Sequence, residues 1–95
     1  MIIAEISVIP IGEGTSVSRF VRIAVNELKK TKLKMCLGAM STSIEAESLE
    51  EVLDAVKTAH KAVVKAGAKR VVTTVKIDDR RDKQATMETK MRAVK

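Results

Sequence analysis

The chain has no tryptophan, no tyrosine and one phenylalanine, Phe20, so its interior must be built from Val, Ile, Leu, Ala and Met. That shortage also removes a class of function. Sheets that read single-stranded RNA stack bases on aromatic side chains, and a lone Phe20 on a helical stripe offers no such platform. The single cysteine, Cys36, excludes an intramolecular disulfide framework, and with one histidine, His60, there is no spaced Cys/His set for zinc. A reducing cytoplasm suits that inventory. No apolar run approaches the roughly 20 residues of a membrane span, and Met1 leads into an apolar alternation rather than a charged leader. The expectation is a soluble, unprocessed, cytoplasmic protein with no membrane partner.

What is present points to one small domain, 1–95, near the size at which a single core only just suffices, so oligomerisation would help. The formal charge of +6 is unevenly spread. Met1 to Val64 carries eight Lys and Arg against eight Asp and Glu, whereas Lys65 to Lys95 carries ten against four. Such asymmetry marks either an anionic partner, nucleic acid or a phosphate-bearing ligand, or the commoner case of a solvated basic face. Any nucleic-acid binding should be non-specific and lost steeply with salt.

Ile2 to Gly12 organises the chain. Its even positions Ile2, Ala4, Ile6 and Val8 are all apolar, the pattern of a strand with one face fully covered by helices. Its odd positions place Glu5 and Ser7 between Ile3 and Ile9, as a ligand-binding, subunit-facing or half-solvated surface would. Pro10 lacks an N–H and should end or bulge the strand. After a Gly12–Gly14 turn, Thr15 or Ser16 can cap a helix with the stripe Val17, Phe20, Val21, Ala24, Val25 and Leu28, running to about Lys30. Leu33–Leu37 and Met40–Ala46 flank Gly38–Ala39 as a hairpin, with Met40, Thr42 and Ile44 on one face and Ser41, Ser43 and Glu45 on the other.

Ser48 and Glu51 form a capping box, and Leu49, Val52, Leu53, Val56, His60 and Val63 trace a second helix that closes at Gly67. His60, with no second ligand type at i+4, reads as a core-edge side chain, and Cys36 as a packed or edge-facing thiol. Arg70–Asp78 is the last long strand, with Val72, Thr74 and Lys76 opposite its helix-covered face. A charged run then leads into a short terminal helix carrying Met87, Met91 and Val94, too sparse to stand alone and suited to docking on a neighbouring surface.

The order strand, helix, strand, strand, helix, strand is the split βαβ arrangement: an α+β, ferredoxin-like βαββαβ sandwich, its antiparallel sheet covered by helices on one face, plus a short C-terminal helix. The uncovered face would gather Glu5, Ser7, Ser43, Glu45, Thr74 and Lys76. A thiazolium cation would be favoured by Glu5 or Glu45, and an aminopyrimidine needs paired donors and acceptors that Ser7, Ser43, Thr74 and a carboxylate supply. The same cluster could instead be an intersubunit polar network with Lys76 neutralising a glutamate.

The segments Glu5–Gly12, Thr15–Ser18, Met40–Ala46 and Val75–Asp82 resemble the small thiamine-binding (YkoF-like) proteins, a likeness that covers nearly the whole chain. The P-I-G turn, the M-x-T-x-I-E run and the K-I-D-D-R-R-D run carry it jointly. The resemblance implies a ferredoxin-like protomer that pairs into dimers and tetramers and binds thiamine or its hydroxymethylpyrimidine part, without catalysis and without a cofactor. The chain departs from that family at Met35, where tyrosine is usual, and at Ser41 and Ala46, where glycine is. A structural or regulatory homo-oligomer without a vitamin ligand is the alternative. An acylphosphatase-like enzyme is disfavoured because Glu13 occupies the turn after the first strand, with no Arg or Lys before Ser18 to hold phosphate.

Overall fold

The computed structural model describes all of residues 1–95. Strands β1 (Ile2–Pro10), β2 (Lys34–Leu37), β3 (Thr42–Ala46) and β4 (Val71–Asp79) form one antiparallel sheet in the order β2-β3-β1-β4. Helices α1 (Ser18–Lys30) and α2 (Leu49–Lys65) pack on one face, and a short α3 (Met87–Arg92) follows β4. This is the expected α+β architecture, with the first and third strands central. The even residues of β1 are buried as their alternation requires, and with Ile44, Ala46, Phe20, Leu28, Val52 and Val63 they make one apolar core.

Pro10 ends β1, and the hydrogen bonding shows why it is tolerated there. The Ile11 N–H donates to the Arg70 carbonyl at 2.8 Å, so the odd residues of β1 exchange bonds with β4 and the even ones point towards β3. Pairing with β3 stops at Ile6 opposite Thr42, so the N–H that Pro10 lacks would have had no partner.

Local capping explains one helix start and not the other. Ser48 and Glu51 close the expected box: the Glu51 N–H donates to Ser48 Oγ at 3.2 Å, and the Ser48 N–H donates to Glu51 Oε1 at 3.2 Å. For α1 the expected caps Thr15 and Ser16 are not used. Gly12 and Gly14 hold φ of 88° and 90°, the turn extends through Ser16, and Val17 is the N-cap with no side-chain bond. Burial of Phe20, Ala24, Val25 and Leu28 sustains the helix without a cap.

The buried stripe of α2 is also rotated from the expected one. Val52, Ala55, Ala59 and Val63 face inward, Val56 and His60 are half-buried, and Leu49 and Leu53 are 41% and 50% exposed. The two alanines let α1 approach closely, so the contact face turns towards the smallest side chains rather than the largest. His60 lies at the core edge as expected, its Nδ1 2.6 Å from Thr73 Oγ1 on β4. Met40, expected beside Thr42 and Ile44, lies instead in the hairpin turn and is 88% exposed. There Gly38 N–H donates to the Ser41 carbonyl.

Candidate functional site

The sheet register fixes the open face row by row. Cys36, Ser43, Glu5 and Lys76 lie directly across β2, β3, β1 and β4, one polar or ionisable group per strand. The next row towards the end of β4 is Lys34, Glu45, Ile3 and Asp78, and in the opposite direction Ser7 faces Thr74. All six residues expected on the uncovered face are therefore on it. They do not share one environment.

The difference comes from α3, which folds back over part of this face. Its start carries its own capping box, in which the Thr89 N–H donates to Thr86 Oγ1 at 3.1 Å and the Thr86 N–H donates to Thr89 Oγ1 at 2.9 Å. Glu45 is 7% exposed beneath it and accepts the Met87 N–H at 2.6 Å, so the carboxylate satisfies an orphan donor of the first turn. Lys90 reaches back to Asp78 at 2.9 Å. Thus the sparse terminal helix docks on the chain's own sheet, held by one buried carboxylate and one surface ion pair.

Between α3 and the sheet runs a groove of ≈ 690 Å³ whose walls include Ile3, Glu5, Cys36, Ser43, Lys76, Met87 and Met91. That volume and a half-apolar lining fall within the ordinary range for small-molecule sites. Glu5, Ser43 and Lys76 line it. Ser7 and Thr74 lie one row beyond its end, and Glu45 is outside its wall, buried beneath α3 with one oxygen committed to that helix. The contributions of Cys36, Ile3 and the two methionines were not singled out from sequence. Cys36 could have been, since a hairpin about Gly38–Ala39 pairs it with Ser43. Met35, by contrast, pairs with Ile44 and packs against the core from the helix-covered side.

Charge in the groove is only partly neutralised. Of the five ion pairs in the molecule none includes Glu5, Lys34 or Lys76, although Glu5 and Lys76 sit opposite each other. A free carboxylate at the centre of the sheet, with a hydroxyl and a thiol on one side and an ammonium on the other, can hold an organic cation and pair with a heterocyclic amine. No group of three His, Cys, Asp or Glu side chains is placed to hold a metal ion. A second opening of ≈ 240 Å³ between α1 and the β2–β3 turn has no charged side chain in its wall with which to orient a ligand.

The Lys90 hydrogen bond, and next the attraction of the same ammonium, hold the Asp78 carboxyl below its ordinary value of 3.8. A carboxyl depressed on folding contributes stability above its unfolded value, and that contribution is lost as pH falls through the folded one. The clamp on α3 is therefore complete at neutral pH and releases only below about 3.8. The NMR methyl signals of Met87 and Met91 should be constant between about pH 5 and 8 and shift only in stronger acid. In Asp78→Asn the part of that shift that comes from the Lys90 clamp should disappear. Both partners are solvent-exposed, so raised salt should weaken the clamp at any pH.

Comparison with known proteins places the chain in a family. The profile of a family described as thiamine-binding protein matches residues 4–95. A UPF0045 protein of Methanothermobacter thermautotrophicus is 49% identical over 96 residues, covering 100% of this chain and 97% of its own. A UPF0045 protein of Bacillus subtilis is 39% identical, covering 99% of this chain and 94% of its own. Among solved structures, a hypothetical protein of Methanocaldococcus jannaschii superposes with a TM-score of 0.91 at 44% identity, over 98% of this chain and 94% of that one. A candidate thiamine biosynthesis/salvage protein of Thermotoga maritima superposes at 0.84 with 26% identity, over 99% and 98%.

Proposed function

Because the chain belongs to the thiamine-binding protein family, we propose that it binds thiamine or a related pyrimidine or thiazolium compound, without catalysis, in the groove between α3 and the open sheet face. The observation that carries the reading is the polar row Cys36, Ser43, Glu5, Lys76 crossing the floor of that groove. Glu5 is the counter-ion for a thiazolium, and Ser43 supplies a hydroxyl that donates and accepts at an aminopyrimidine edge. A flat ring lying over the row meets the thioethers of Met87 and Met91 on its other side, contacts that favour aromatic rings modestly. In this arrangement Met87 and Met91 face the ring, while Met35 borders the groove and packs against the core. Glu45 serves the ligand by fixing the helix above it, while Ser7 and Thr74 extend the polar surface beyond the groove.

The protomer works as a homo-oligomer, a dimer or tetramer, in the cytoplasm. The uncovered face beyond α3 carries Val72, 44% exposed, with Ile9 opposite it, and a second subunit covering this strip removes apolar surface from water. No helix is long and apolar enough to cross a membrane.

Native mass spectrometry of protein purified from its own host tests both parts together. The expected spectrum is a dimer or tetramer that retains a small cationic or pyrimidine ligand. A 10.4 kDa monomer without ligand rejects the whole reading, whereas a stable ligand-free oligomer that also refuses added thiamine and hydroxymethylpyrimidine leaves the structural or regulatory oligomer.

A further inference from the structure

We propose that the outer surface of the C-terminal half of α2, from Lys57 onward, and the adjoining start of β4 form a nucleic-acid backbone docking ridge, on the opposite side of the sheet from the vitamin groove. From Ala55 to Ile77 the chain carries six Lys or Arg and no Asp or Glu. Lys57, Lys61 and Lys65 recur every fourth residue on α2 and are exposed, so their side chains stand in one row, about 6 Å apart along the axis. Lys69 and Arg70 continue the cationic surface where the chain enters β4. From α1, Arg19 reaches across to the Ala66 carbonyl at 3.3 Å, its guanidinium 4.7 Å from the Phe20 ring centre, which brings a further cation to the end of the row. None of these six groups takes part in an ion pair.

The helix dipole accounts for only part of this. It favours cations within the last turn, which covers Lys65, but Lys57 and Lys61 lie further up the helix. Like charges a turn apart oppose the helix, and exposed Asp54, a turn before Lys57, offsets only the first of the three, so local stability does not account for the row. A polyanion with regularly spaced charges relieves that repulsion. Between the two common polyanionic surfaces, the buried side of α2 decides. A helix that lies on a membrane sinks a continuous apolar face into the acyl boundary, whereas the main apolar face of α2, Val52, Ala55, Ala59 and Val63, is consumed by the core and only Leu49, Leu53 and Val64 remain about half exposed. With no aromatic group on the ridge and no groove-reading element, contact is to phosphates and carries no sequence preference.

The test is fluorescence anisotropy of the intact protein with a labelled duplex of about 30 base pairs, titrated from about 20 mM salt upwards. Each lysine–phosphate contact should add about −0.9 to the slope of log K on log salt, so K57Q/K61Q/K65Q should flatten it by about 2.7 and weaken binding at least about a hundredfold at 50 mM. Scrambling the duplex should change nothing. K29Q/K83Q/K95Q removes the same charge elsewhere on the surface and should keep most of the affinity and slope. Circular dichroism confirms that both variants remain folded. No binding at the lowest salt, equal losses in the two variants, or binding to phosphatidylserine vesicles in preference to nucleic acid would each overturn the proposal.

Discussion

Glu5→Gln should lower the affinity for thiamine about tenfold or more, because attraction between its carboxylate and a quaternary thiazolium about 4 Å away contributes roughly 1–4 kcal/mol. The change keeps the shape and one acceptor oxygen, turns the other oxygen into an amide donor, and removes the charge. Glu5 is exposed on the open face, makes no ion pair, and stands mid-row between Ser43 and Lys76. Glu27→Gln is the control, since Glu27 lies on α1 and pairs with Lys30 on the other side of the sheet. Calorimetric titration with thiamine, its phosphates and hydroxymethylpyrimidine separates the parts of the ligand. The loss should be large for the thiazolium-bearing compounds and smaller for the neutral pyrimidine. An unchanged thiamine affinity would remove Glu5 from the site.

Ile44→Ala is expected to cost about 2–5 kcal/mol, a large share of the roughly 5–15 kcal/mol that holds a domain of this size together. Ile44 is fully buried at the centre of β3. It packs in the common core from the strand that carries Ser43 and Glu45 on its other face. Urea unfolding should show a lower midpoint with an unchanged slope. Val64→Ala, at a site 49% exposed on α2, should stay within about 0.5 kcal/mol of the parent. A destabilisation at Ile44 no larger than that at Val64 would mean the β3 core position is not where the sheet is held.

What can be read from the sequence and what cannot divide along the range of the interactions involved. Ser48 and Glu51 are three residues apart, so their box is written in four letters of sequence and forms as read. The facing of Glu5, Ser43 and Lys76 is also legible, because strand alternation and one central hairpin leave few registers that bury Ile2, Ala4, Ile6 and Val8. The α2 contact face is not. Alanine is indifferent in a hydrophobic pattern, and only the approach of α1 reveals that Ala55 and Ala59 are worth burying ahead of Leu49 and Leu53. The division of the six polar residues among groove wall, helix anchor and outer sheet is likewise hidden. It depends on how far the chain between Asp79 and Met87 lets α3 travel back across the face, and on a bond from Glu45 to a backbone amide 42 positions later. Sequence shows that Glu45 stands on the open face; its burial as a helix anchor is a long-range outcome.

The position of β1 has a consequence for the order of events during synthesis. Of the four strands it is the first to leave the ribosome, yet it lies between β3 and β4, and its nine-residue partner β4 is the last of the four. Until Val71–Asp79 has emerged, Ile3, Ser7 and Ile9 have no strand with which to exchange their outward backbone bonds. Vectorial folding can assemble β1 with the hairpin and both helices, but the sheet closes only when most of the chain is free of the exit tunnel. A nascent chain stalled just after α2 therefore displays an apolar strand with one bare edge, the species on which a ribosome-associated chaperone would act.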